Sequence, residues 1–82
     1  MSAKEAYDVM GKTLVMSTIV NMSQTDDHYI FGIYTFNPNY MGRNGYDTIN
    51  KETGKYEFMR YENYNHLMNE GKVEKIDMLA FA

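Results

Sequence analysis

No cysteine occurs in this chain, which excludes a disulfide staple and a thiolate zinc site and leaves the redox compartment undecided. Tryptophan is also missing, and proline occurs once, at Pro38. No apolar run approaches the roughly 20 residues a membrane helix needs. The longest apolar-leaning stretch is "TLVMSTIVNM", residues 13–22. Nor is there an excess of basic charge: 8 Lys plus Arg stand against 11 Asp plus Glu, a net of -3. No window gathers the basic side chains into a stripe, so neither nucleic acid nor an anionic membrane is an expected partner. The N-terminus "MSAKEAYDVMGK" lacks a basic region followed by an apolar core, and we read the chain as cytoplasmic.

What is present suffices for one domain spanning residues 1–82. A chain of 82 residues buries only about 60–65 % of its unfolded surface and cannot divide that between two cores. Hydrophobic residues at 44 % and charged ones at 23 % are ordinary for a folded protein.

Local patterns give the order of elements. Ser2 and Glu5 stand in the relation of a capping box, and Ala3, Ala6, Tyr7 and Met10 follow at helical spacing. A helix over residues 3–10, stopped by Gly11, is expected. Residues 13–22 are rich in β-branched side chains and read as a strand, with continuation of the first helix through Leu14 and Val15 as the competing reading. "SQTDD" at 23–27 is a turn, and "HYIFGIYTF" at 28–36 carries apolar residues on both faces, as a central strand does. "NPNYMGRNG" at 37–45 is a loop; its G-x-x-G is explained by turn chemistry, with Arg43 as the lone base.

Residues 46–50 and 55–61 form a hairpin across "KETG", where Gly54 supplies a positive φ. A second helix of about two turns follows, with Asn63 at its N-cap and Gly71 as terminator. Residues 73–78 read as an edge strand whose charges blunt pairing with other chains. The fold class is therefore α+β, an N-terminal helix packed on a curled antiparallel sheet of three to five strands, with a short second helix.

Chemistry-bearing motifs are scarce. His28 and His66 lie in no recognised ligand spacing, and Asp26 and Asp27 fit a turn better than a two-carboxylate site. No catalytic residue, metal ligand or cofactor is assigned. An enzymatic reading would require His28 and an acid within about 3 Å of each other in a cleft.

Composition is more informative: eight Tyr and eight Met in so short a chain are suited to protein contact surfaces. A sheet apolar on both sides with little helix to cover it leaves one face short of cover. Tyr40, Arg43, Tyr61 and Tyr64 are the expected contacts with a protein partner.

At "YDTINKETGKYEFM" the hairpin resembles that of small bacterial α+β proteins of the toxin-immunity and PepSY-like kind, with the likeness in actual residues confined to the turn at 50–54. The resemblance implies a non-catalytic cytoplasmic protein, of bacterial or phage origin, that acts by occluding a protein partner as an immunity or inhibitor protein does. The long loop at 37–45 and the apolar end "MLAFA" depart from that pattern. The alternative expectation is a self-associating accessory protein, a homodimer paired through its C-terminal strand and "LAFA" end.

Overall fold

The capping box forms as expected and starts the first helix, α1 (Ala3–Thr13). The Glu5 amide donates to Ser2 Oγ at 3.1 Å, and the Ser2 amide donates to Glu5 Oε1 at 3.0 Å. The computed structural model describes residues 1–39 and 42–81. Gly11 does not stop α1; the helix runs on to Thr13, whose hydroxyl donates back to the Met10 carbonyl at 2.8 Å. Leu14 is already extended, so the helix does not continue through Leu14 and Val15 either. Met16 then takes φ of 54°, left-handed backbone that costs a non-glycine residue about 1–2 kcal/mol. This kink delays the first strand, β1 (Ser17–Gln24), relative to the sequence expectation.

The remaining elements are β2 (His28–Thr35), β3 (Gly45–Asn50), β4 (Tyr56–Arg60), α2 (Tyr61–Asn69), β5 (Glu74–Ile76) and a 3-10 turn at Met78–Phe81. All strand pairs are antiparallel and the order across the sheet is β4-β3-β2-β1-β5. The β3–β4 turn closes as the sequence implies. Gly54 takes φ of 71° and donates its amide to the Asn50 carbonyl, while Asn50 Oδ1 accepts from the amides of Glu52 and Thr53. α2 departs at its start: it follows β4 without a loop, so Arg60 occupies the N-cap position and Asn63 lies inside the helix. Its end is as expected. Gly71 takes φ of 70° while the Gly71 and Lys72 amides donate to the carbonyls of Met68 and Leu67, the paired bonds of a Schellman motif.

The two helices pack on the sheet from opposite sides. Tyr29 and Phe31 of β2, Met22 of β1 and Ile49 of β3 meet Ala6 and Met10 of α1 in the main core, with Met78 and Phe81 packed at its flank. Alternation turns Ile30 and Thr48 to the other face, where both are fully buried. There Tyr46 meets the rings of Tyr61 and Tyr64 at 5.0 and 4.6 Å, and this holds α2 against β3 and β4. The second face is covered over β3 and β4, because α2 folds straight back over the hairpin it leaves. Exposed apolar side chains collect at Tyr56 and Phe58 of β4 on the first face, and on the β1–β2 part of the second face at Met16, Val20, Tyr34 and Phe36.

Candidate functional site

β3 and β4 extend past the shadow of α1, and this leaves a groove on the helical face. Val9, Met10 and Leu14 of the α1 side and Ile49 of β3 form its apolar walls, Asp47 and Tyr56 its polar end, around a volume of about 340 Å³. That is the size of an ordinary ligand or anchor pocket. The register explains the polar end. Asp47 pairs with Phe31 on one side and Phe58 on the other, so an aspartate sits at an inward position of the sheet.

An inward carboxylate is tolerated only when charge and hydrogen bonds compensate it. Arg43 Nη2 donates to Asp47 Oδ1 at 2.8 Å and to the Tyr56 hydroxyl at 2.6 Å, and that hydroxyl donates to Asp47 Oδ1 at 2.5 Å. The guanidinium also lies 4.5 Å from the centre of the Phe58 ring. Burial, and then the bond to the Asp47 carboxylate, hold the Tyr56 phenol above its usual value, so it stays a neutral donor. Arg43 Nη2, Asp47 Oδ1 and the Tyr56 hydroxyl are thus each directed at another member of the trio.

A second cluster lies on the opposite face, at the β2 end. His28 Nδ1 is 2.9 Å from Asp27 Oδ1 and Nε2 is 2.6 Å from Glu57 Oε1. Asp27 also accepts from the Thr25 hydroxyl, and Glu57 from the Asn50 amide. Burial pulls the His28 value down, but the bonds to Glu57 and Asp27 outweigh it and the net shift is upward. The acid demanded by an enzymatic reading is thus at hand. Both ring nitrogens are engaged by carboxylates, however, and the imidazole ties the β1–β2 turn to β4. The carboxylates sit on opposite sides of the ring and do not converge on a point. Among the described residues no group of three or more His, Cys, Asp and Glu could hold a metal ion. His66 makes a separate pair with Glu70 on the exposed side of α2.

Of the contact residues expected from sequence, Tyr40 lies outside the described residues. Arg43 is in the groove cluster. Arg43 and Tyr61 also border a smaller cavity of about 100 Å³ where β2 and β3 separate. Tyr64 lies on the other face, over Tyr46. Sequence reasoning missed Asp47 and Phe58, and took Tyr56 only as one of the tyrosines that together suit a contact surface. A signal was available: Asp47 alternates with Ile49, and an acid in phase with a core residue demands a cation, which Arg43 supplies four positions earlier. No helix is long and apolar enough to cross a membrane among the described residues. Comparison of the chain with protein-family models, curated proteins and solved structures returned no match.

Proposed function

We propose that this chain is a non-catalytic, cytoplasmic protein-binding module of the immunity or inhibitor kind, which occludes a protein partner by taking an apolar side chain into the groove between α1 and the β3–β4 hairpin. The observation that carries the reading is the groove itself: apolar walls, exposed Val9 and Tyr56 in its lining, and at its polar end Asp47 Oδ1 and the Tyr56 hydroxyl engaged with each other and with Arg43. A site built for catalysis leaves a nucleophile, acid or base facing the cleft. This one offers shape and apolar area.

Leucine, methionine or phenylalanine side chains suit such a groove, and full burial of one is worth about 1.5–3 kcal/mol. Anchors of this kind dominate protein interfaces. The net charge of -3 favours approach to a basic partner.

The test is affinity capture from source-cell extract with the wild type and with Val9→Lys, an exposed position where the substitution leaves the melting temperature unchanged. A basic protein retained by the wild type and lost from the variant is expected. Equal retention by both, or nothing above background, overturns the reading.

A further inference from the structure

The strand β1 is covered along only part of its outer edge. β5 pairs with Met22, Ser23 and Gln24 and ends there, so the outward side of residues 17–21 has no strand against it among the described residues. The direction of its backbone groups follows from one hydrogen bond. The Phe36 amide donates to the Met16 carbonyl at 2.9 Å, and antiparallel bonding alternates, so Ser17 and Ile19 turn their N–H and C=O groups away from β2. Such a row is a template for another strand, and proteins ordinarily protect it with charge or proline. Here residues 13–25 contain neither.

Three further features surround this edge. Met16 and Phe36 are 64 % and 65 % exposed, and Val20 and Tyr34 more than half exposed, so an apolar rim lies beside the unpaired backbone. Between the edge and α1 runs a hollow of about 380 Å³ lined by Asp8, Lys12, Ser17 and Thr18 among others. Asp8 and Lys12 carry opposite charges one helical turn apart; Asp8 makes an exposed pair with Lys4 at 3.3 Å, and Lys12 makes no ion pair among the described residues.

We propose that the chain forms a two-fold symmetric dimer by antiparallel pairing of this part of β1 with β1 of a second copy, with Thr18 on the axis. The outward groups dictate the register: Ser17 exchanges both backbone bonds with Ile19 of the second copy, and Thr18 faces Thr18. A two-fold axis normal to the sheet keeps both α1 helices on one side and runs them antiparallel. Asp8 then faces Lys12 of the second copy, and the reverse. The charge pattern is complementary to itself, and the edge is uncharged, so the net charge of -3 does not oppose contact at the strand. Met16 and Val20 of both copies gather around the axis on the other side. The pairing stops where β5 begins, so the dimer is a single sheet continuous through both copies.

Because the chain has no cysteine, Thr18→Cys places a single thiol on the axis. Residues facing each other without exchanging backbone bonds have Cα atoms about 4.5 Å apart, within disulfide range. Mild oxidation is expected to convert Thr18→Cys to a covalent dimer and leave a Thr53→Cys control, on the β3–β4 turn, monomeric. Sedimentation of the unmodified chain is expected to show a dimer, and Thr18→Lys, which sets like charges across the axis at an exposed position, a monomer of unchanged circular dichroism. An unmodified chain that sediments as a monomer at every concentration overturns the proposal. So does a dimer that survives Thr18→Lys and dissociates on removal of residues 79–82, since that dimer pairs through the C-terminus. Val9→Lys lies on the far groove and leaves this dimer intact.

Discussion

Replacing Arg43 with alanine isolates the cost of an aspartate facing inward. Asp47 is 7 % exposed at its side chain, and among the described residues Arg43→Ala leaves it the Tyr56 hydroxyl alone as side-chain partner. Removing one member of a fully buried pair costs about 3–5 kcal/mol. The Arg43 side chain is 26 % exposed, so water reaches the vacated position and roughly halves that figure. Loss of the guanidinium over the Phe58 ring contributes about 0.5–1 kcal/mol of what remains.

The expected total is about 2 kcal/mol, a fall in melting temperature of about 8–16 °C for a domain of this size. Urea unfolding followed by circular dichroism measures it. The discriminating variant is the double substitution. Once Arg43 is gone, Asp47→Asn removes an uncompensated charge and should restore about 1 kcal/mol, whereas in the wild-type background it should cost about as much. Arg43→Ala within about 0.5 kcal/mol of wild type, or additive costs in the double variant, would refute the argument that the trio holds together as a charge-compensated unit.

The His28 clamp makes stability depend on pH. His28 is raised above 6.5 in the folded chain, so its contribution is complete below that pH and fades as pH rises through the folded value. Glu57 and Asp27 are lowered from 4.5 and 3.8, chiefly by the bond to His28, and their contributions fade as pH falls below those values. The melting-temperature gap between wild type and His28→Gln should therefore be widest at about pH 5.5 and narrow towards about pH 8. At Gly45 a Cβ would run into the Met59 carbonyl oxygen and lie 2.9 Å from the Arg60 Cα, backbone that cannot move aside. Gly45→Ala should cost more than about 2 kcal/mol in urea unfolding, while Gly32→Ala, which meets only the movable end of the exposed Asn21 side chain, should cost under about 1. Tyr46→Ala removes the ring that seats Tyr61 and Tyr64, and hydrogen exchange should show α2 losing protection while α1 keeps it.

Local devices were legible in the sequence, and devices that need a distant partner were not. The Ser2–Glu5 box, the turn ending at Gly54 and the stop at Gly71 each depend on residues within a few positions, and each formed as expected. Gly11 misled because glycine permits a helix end without requiring one, and Thr13 prolonged the helix by bonding back to Met10. The cover over the second face was unreadable because it depends on α2 leaving β4 without a loop and landing on Tyr46, fifteen or more residues upstream of the rings it seats. Likewise Glu57 meets His28 only once β2, β3 and β4 lie side by side.

With α1 over one face and α2 over the β3–β4 part of the other, the two sides of the sheet differ in chemistry. β4 carries Glu57 and Arg60 with Lys55 just before it, charges that deter strand pairing. What that side offers is the groove beside Tyr56, whose shape suits a side chain and not a strand. β1 carries no charge and leaves Ser17 and Ile19 with outward backbone groups, the edge at which we propose that a second copy pairs. Aromatic and thioether side chains are accordingly divided: Tyr29, Phe31, Met10 and Met22 inside, Tyr46 and Tyr64 as braces, Tyr56 and Phe58 on the β4 side, and Met16, Tyr34 and Phe36 on the β1–β2 side. Putting charge on the β1 edge should therefore abolish self-association without touching the groove, and blocking the groove should do the converse.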